Sequence, residues 1–301
     1  MNRFYGYVIG LAAVIGCSCN NGKQHDTQTS GTINISVDDA YRPLMDTEIR
    51  VFEGLYPEAH LNVQYKPESE CFRDLVNDSS RLIIVTRQLN PRESDYFKSI
   101  KMPIDSKILA WDAVALIVNP ANPDTEMTMN DVREIMNGTY TRRKYQLIFN
   151  NPDSSGMSSA VRYVIDSINK GKSLPPYSRG AKSSEEVVNY VAQNKDALGV
   201  IGVSWISDPN DSTGLSFLEK IRVVAIKGDS SDYYNKPYQS YIALKSYPLT
   251  RAFYFIVREP YFGLGTGFAN FLGGNQGQLI IGKYRLFPAR LNIVFREATI
   301  N

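Results

Sequence analysis

The sequence predicts an α/β fold, on three observations. The first part of its body alternates strand-like and helical segments as β-α-β-α-β between Thr32 and Thr86. Arg81 to Thr86 (RLIIVT) is apolar in the manner of a strand buried on both faces of a parallel sheet. Ile108 to Val118 (ILAWDAVALIV) is the most apolar segment of the body, and it has the length of a strand passing between two lobes. With 301 residues, 43% of them hydrophobic and 21% charged, the chain can bury one large core or two modest ones.

The chain opens on a targeting signal. Arg3 gives a short basic start, and Phe4 to Gly16 is uncharged and mostly apolar. That run is too short for a bilayer span of about 20 residues, and it fits the core of a signal peptide. It ends Val14-Ile15-Gly16-Cys17, which resembles a bacterial lipobox with Cys17 as the lipidated residue and a membrane anchor (palmitate) on the mature N-terminus. Cys19 is the second candidate. Residues 1–17 are thus expected to be signal, and residues 18–31 (SCNNGKQHDTQTSG), polar and without apolar periodicity, a flexible tether. Pairing of Cys19 with Cys71 stays open, with a lone thiol at Cys71 as the simpler reading.

Thr32 to Val37 is the first strand, broken by Asp38-Asp39-Ala40-Tyr41. A helix follows from Arg42 to Tyr56, with Pro43 in its first turn and Pro57 at its stop. Leu61 to Tyr65 is a strand, Cys71 to Asn77 a short helix, and Arg81 to Thr86 the buried strand. After a helix over Pro91 to Ser99 comes the long apolar strand, stopped by Asn119-Pro120-Ala121-Asn122-Pro123. Thr128 to Met136 is a helix with Gly138 just beyond it.

Tyr145 to Phe149 then leads into the turn Asn150-Asn151-Pro152-Asp153-Ser154-Ser155-Gly156-Met157-Ser158-Ser159 and an amphipathic helix from Ala160 to Ile168. A Ser/Gly turn that opens a helix offers unpaired N–H groups, the positive end of the helix dipole and neutral hydroxyl donors, which together suit an oxyanion. Serine is also the ordinary N-cap, and that reading stands beside it. Further on, Ser183-Ser184-Glu185-Glu186 reads as a capping box for a helix over Glu185 to Asn194. Ala197 to Val203 and Ile221 to Ile226 are strands. Tyr238 to Leu244 and Ala252 to Arg258 read as extended, Gly263 to Phe271 and Gln276 to Tyr284 as helical, and Leu291 to Glu297 as a last strand.

Several function classes start low. Net charge is +2, without the concentrated basic patch that nucleic-acid binding needs. The only histidines are His25 and His60, and neither stands with a nucleophile elbow or with zinc-ligand spacing. No enzymatic activity, cofactor or metal is expected. Asp38, Asp39 and Asp153 have no calcium-loop spacing.

Ligands of open α/β sheets gather at the carboxyl ends of strands, which singles out Asp38 to Tyr41 and Thr86-Arg87. The planar fork of Arg87 suits an oxyanion, and its alternative is an ion pair with Glu93 or Asp95. At this point several separated pieces resemble one family, the phosphate-binding proteins of bacterial phosphate ABC importers. Val85-Thr86-Arg87-Gln88-Leu89 with Glu93, Val118-Asn119-Pro120-Ala121-Asn122-Pro123 and Asn151-Pro152-Asp153-Ser154-Ser155-Gly156-Met157 are similar to its motifs. So are Leu198 to Val203, Tyr247-Pro248-Leu249-Thr250-Arg251-Ala252-Phe253-Tyr254-Phe255, and Phe268 to Phe271 with Gly277 to Ile281 and Pro288. The order is right over nearly the whole mature chain. The departures are Asn151 at the family's arginine position, Met157 at its threonine, and Asp-Asp-Ala-Tyr at its first turn, with Arg87 or Arg162 as replacements for the lost arginine.

The resemblance implies a two-lobed periplasmic-binding-protein fold of type II, each lobe a mixed sheet flanked by helices and joined by two crossover strands. It places residues 32–112 and 242–301 in one lobe and 113–241 in the other. It implies a monomer, held at the membrane of the bacterial envelope by its lipid and facing the periplasm, that captures phosphate or a similar oxyanion and delivers it to ABC permease subunits. The implied site takes backbone N–H groups at Ala40, Tyr41, Ser155, Gly156 and Met157, hydroxyls of Thr86, Ser154 and Ser155, and the charge of Arg87. Asp153, with Asp39 as second candidate, would accept the proton that hydrogen phosphate keeps (its second pKa is about 6) and sulfate lacks. The rival reading is a two-lobed scaffolding or sensory lipoprotein whose ligand is lost or changed.

Overall fold

The computed structural model describes residues 25–150, 156–206 and 219–290. Cys17, Cys19, Asp153, Ser154, Ser155 and the expected last strand over Leu291 to Glu297 lie outside them.

The body is a mixed sheet whose main path runs Ala59–Lys66 (β2), Gly31–Asp38 (β1), Leu82–Val85 (β3), Thr250–Arg258 (β12), Ile104–Val118 (β4), Ala197–Gly202 (β8), Gln146–Asn150 (β6), Ser178–Ala181 (β7). The short strands Glu126–Thr128 (β5), Arg222–Val223 (β9), Ala225–Lys227 (β10) and Tyr234–Asn235 (β11) lie off it. β1 (Gly31–Asp38) lies parallel to both β2 (Ala59–Lys66) and β3 (Leu82–Val85), as a β-α-β-α-β order requires. β12 (Thr250–Arg258) then closes antiparallel on β3, so the sheet is mixed where the apolar run alone suggested parallel neighbours. In the other half, β6 (Gln146–Asn150) lies parallel to β7 (Ser178–Ala181) and β8 (Ala197–Gly202). Every residue of β3 and β8 is buried, which is why both read as unbroken apolar runs.

β4 (Ile104–Val118) joins the halves. Its 15 residues span about 50 Å at the usual strand rise. Ile104 to Ala113 pair with β12, and Val114 to Val118 pair with β8. Residues of both halves belong to one apolar core, and a smaller cluster of Cys71, Phe72, Leu75, Ile83, Val85, Phe97 and Ile256 fills one face of the first half. Cys71 is a buried free thiol there, and burial raises its pKa well above the usual value.

Helices start where caps permit. α1 (Arg42–Leu55) carries Pro43 in its first turn, and α2 (Glu68–Val76) begins directly after Pro67, three residues before the expected start. α3 (Pro91–Ser99) has the reciprocal Asn90/Glu93 box, and α4 (Met129–Asn137) the Thr128/Asp131 box. Ser158 caps α5 (Ser159–Tyr163), which continues as one turn of π-helix over Val164–Ile168. At α6 (Ser184–Gln193) only half of the expected box forms. Ser183 accepts from the Glu186 N–H, but the Glu186 carboxylate takes the N–H of Lys182 instead of Ser183.

Two further expectations are corrected. Gln239–Ala243 is a helical turn, α7, not an extended segment, because Tyr238 C=O accepts from the N–H groups of Tyr241 and Ile242. The two helical readings near the C-terminus hold, as α8 (Leu264–Gly273) and α9 (Asn275–Lys283), parted at Gly274. Of the expected tether, residues 25–31 are packed on the body. Asp26 pairs with Arg81 at 2.6 Å and accepts from the Leu264 N–H at 2.7 Å. Gln28 approaches α8 so closely that a Cβ on Gly267 would stand 1.9 Å from its carbonyl oxygen.

Candidate functional site

Three strand ends meet where the halves touch: Asp38 closes β1, Thr86 follows β3, and Asn150 closes β6. The turn after β1 is a single 3-10 turn over Asp39–Tyr41. Asp38 caps it, its Oδ1 accepting from the Ala40 N–H at 2.9 Å. That N–H, expected to face a ligand, is therefore bonded to the chain's own carboxylate. Burial pushes the Asp38 carboxyl up to about 7, the negative charge of Glu68 adds to the rise, and Arg251 opposes it. Ser159, also buried, stands beside Asp38 from the other half.

Asp39 ties the halves together. Its Oδ1 accepts from Arg42 Nε at 2.9 Å, and its Oδ2 from Asn150 Nδ2 at 2.6 Å and from the Ser184 hydroxyl at 3.4 Å. Trp205 Nε1 donates to the Asp39 carbonyl at 3.1 Å, and the Ser204 hydroxyl donates to the Ala40 carbonyl. Asn150, Ser184, Ser204 and Trp205 all come from the second half, so the first turn is gripped by it on several sides. Tyr41 is fully buried, stacks on Phe253 at 4.5 Å and donates to Asp112 Oδ2 at 3.0 Å. Arg251 reaches the same oxygen through Nε at 3.1 Å and Nη2 at 3.0 Å.

Thr86 is the clearest donor site. Its N–H and hydroxyl both donate to Glu68 Oε1, at 2.6 and 2.7 Å. Glu68, the first residue of α2, is buried, and its Oε2 accepts from Arg162 Nε. Arg162 Nη2 closes the ring by donating to Thr86 Oγ1 at 2.6 Å, and Nη1 pairs with Asp166 at 3.2 Å. Burial alone would raise the Glu68 carboxyl; the Arg162 guanidinium and the Thr86 donors outweigh it and hold the group below its ordinary range, so it is ionised. Next to this ring the loop after β6 clips onto α2. Met157 N–H donates to the Ser69 hydroxyl at 2.8 Å, and Ser69 N–H donates to the Met157 carbonyl at 3.2 Å. Gly156 lies against Pro67, where a Cβ would come within 2.9 Å of the ring.

Of the residues expected at the site, Asp39, Ala40, Tyr41, Thr86, Gly156 and Met157 come to this junction. Arg87 is committed elsewhere: its two terminal nitrogens fork Glu93 at 2.8 Å each, over the Phe72 ring, which is the ion-pair alternative weighed for it. The arginine that reaches Thr86 is Arg162. Glu68, Asp112 and Arg251 were not singled out as site residues. Glu68 follows a proline and opens a helix, so it looks like an ordinary first-turn acid. A cavity of about 440 Å³ lies elsewhere, lined by residues such as Thr125, Val203, Tyr238 and Arg285, and none of Asp38, Thr86 or Arg162 borders it.

A family model described as PBP superfamily domain matches residues 22–275. No curated protein sequence matches the chain. Among solved structures, the fold is similar to a Clostridium perfringens protein described as a phosphate ABC transporter substrate-binding protein with bound phosphate. The TM-score is 0.71 at 19% identity, over 86% of this chain and 100% of that one. An ABC-type phosphate transport receptor from Vibrio cholerae matches with TM-score 0.63 at 19% identity, over 86% and 100%. The regulatory domain of MetR, a LysR family regulator from N. meningitidis, matches with TM-score 0.56 at 13% identity, again over 86% and 100%. Likeness at such identity carries the fold, a mixed α/β architecture of the type II binding-protein kind, and receptors and regulators share it.

Proposed function

Since the chain belongs to the PBP superfamily domain family, we propose that it is an extracytoplasmic solute receptor, not an enzyme, that captures phosphate or a related oxyanion between two lobes and delivers it to an ABC importer. The observation that carries this reading is the donor set at Thr86. A backbone N–H, a hydroxyl and a guanidinium from the opposite half converge on one pair of carboxylate oxygens. Donors so arranged around oxygen atoms, at the carboxyl end of a strand, suit an oxyanion. The solved relatives from C. perfringens and V. cholerae, whose names carry phosphate transport, add to it.

In this reading residues 32–112 and 242–301 form one lobe and 113–241 the other, supported by the change of β4 from β12 to β8 between Ala113 and Val114. Asp153, Ser154 and Ser155 come three to five residues after the end of β6 in sequence and would complete the seat from the second lobe, with Asp153 accepting a hydrogen bond from the ligand's proton. Cys17 would carry the lipid anchor at the membrane surface. Among the described residues no helix is long and apolar enough to cross a membrane.

Calorimetric titration of the purified protein with phosphate and then sulfate tests the reading. Micromolar or tighter phosphate binding without a sulfate response, weakened by Arg162→Met, is the expected outcome. Silence toward both anions sinks it and leaves the scaffolding or sensory alternative.

A further inference from the structure

The oxyanion seat already contains an anion of the chain's own. Glu68 presents two coplanar carboxylate oxygens to the Thr86 N–H, the Thr86 hydroxyl and Arg162, as two oxygens of a tetrahedral oxyanion would present themselves. It is 1% exposed and ionised. Its partners come from both halves: Glu68 and Thr86 from the first, Arg162 from the second. The guanidinium charge is spent on Glu68 and Asp166. An incoming dianion would meet the ionised Glu68 carboxylate, with the buried Asp38 carboxyl beside it, and would be repelled unless Glu68 left.

We propose that Glu68 is an internal occupant of the seat, an autoinhibitory latch that holds the two halves closed without ligand and must swing out when the oxyanion enters. The assignment rests on the oxyanion reading for its second half only. The latch is a statement about the ligand-free chain. Exchange of one anion for another keeps the Arg162 charge neutralised throughout, and it makes ligand affinity the difference between two similar sets of hydrogen bonds. The Met157–Ser69 clip lies on the same side of the junction and would open with it.

The test uses two variants and two readouts on the whole chain. Glu68→Gln keeps the size and one acceptor but turns an NH₂ toward Arg162; Arg162→Met removes the bond from the other half. Circular dichroism melting first establishes that each is folded. Hydrogen exchange of the ligand-free protein then reads the peptide spanning Thr86, whose N–H is bonded to Glu68. Both variants should exchange there at least tenfold faster than the native chain, with the β8 core unchanged. Calorimetry with inorganic phosphate should show Glu68→Gln binding about tenfold tighter than the native chain, since its internal competitor is weakened.

Unchanged exchange at Thr86 in either folded variant overturns the latch. Faster exchange with phosphate affinity lowered in Glu68→Gln overturns the competitor and makes Glu68 a ligand support. Faster exchange in both variants with no phosphate binding to any of the three proteins upholds the latch and overturns phosphate as the ligand.

Discussion

Two buried carboxylates each hold an arginine, and they are held in different ways. Asp112 and Arg251 sit on β4 and β12, directly opposite each other in the antiparallel register. The ladder of the sheet fixes their approach before any side chain is considered. Glu68 and Arg162 stand on α2 and α5, 94 residues apart and on opposite sides of the junction. No strand ladder holds them: the one backbone bond among the described residues that ties α2 to the approach of α5 is Ser69 N–H to the Met157 carbonyl, and it too exists only while the halves meet. The first pair belongs to the rigid frame. The second is placed to report, and to oppose, separation of the halves. Burial alone does not separate these cases, since Asp112 is 0% and Glu68 1% exposed; the element that carries each residue does.

The largest expected effect breaks the first pair. Asp112→Asn leaves Arg251 with a buried charge and no anion opposite it, and weakens the acceptor of the Tyr41 hydroxyl. Breaking a buried pair from one side costs about 3–5 kcal/mol. Urea unfolding of the variant should show a loss of that size with an unchanged denaturant slope. A loss under about 1 kcal/mol would place this pair with exposed ones and remove the contrast with Glu68, whose replacement is expected to open the junction with the fold retained.

A third buried carboxylate sharpens the comparison because it holds no arginine. Glu48, on the buried face of α1, has neither carboxylate oxygen hydrogen-bonded among the described residues, and burial pushes it up to about 9. A neutral acid needs no countercharge, so Glu48 at pH 7 is a protonated group in an apolar place. The native state therefore keeps a proton that the unfolded chain has released, and stability falls as pH rises from about 4.5 to about 9. Glu48→Met, of similar volume, should be more stable than the native chain by about 3 kcal/mol at pH 7. The gap should widen from pH 5 to pH 9 in chemical denaturation. A gap that does not change with pH would show that packing, not the proton, sets it.

The frame was legible in the sequence to the degree that burial writes itself into composition. β3 and β8 are buried throughout and read as apolar runs; β4 is both long and apolar, and the Ser158 and Asn90 caps carry their own residue types. α7 was misread because a five-residue turn with one buried residue, Ile242, has no period to detect. The junction was legible by position but not by partner. Asp38 to Tyr41 and Thr86 follow from the rule about strand ends, whereas Arg87 and Arg162 are equivalent on paper. Only the fold shows that Glu93, six residues on and fixed by the Asn90 cap, captures the first, and that α5 carries the second across to Glu68. A first-turn glutamate gives no sign in sequence that it faces inward.

The smallest expected effect is a change of slope, and it probes the junction itself. Asp38 lies between the two pairs: burial first, and then the charge of Glu68, push its carboxyl up to about 7, while Arg251 pulls it down. The folded chain again holds a proton that the unfolded chain loses near pH 4, so stability contributed by Asp38 is full below about pH 4 and is lost as pH rises toward about 7. Asp38→Asn keeps the acceptor for the Ala40 N–H and removes the titration. In a Glu48→Met background, which clears the competing slope, Asp38→Asn should flatten the dependence of unfolding free energy on pH between 4 and 7. Glu68→Gln in that same background removes one of the two causes of the raised pKa and leaves burial. The midpoint of the slope should then move to lower pH without disappearing. A midpoint that stays in place would mean that the charge of Glu68 is not felt at Asp38. The end of β1 and the start of α2 would then be electrically separate, and an entering oxyanion would meet the two carboxyl groups one at a time.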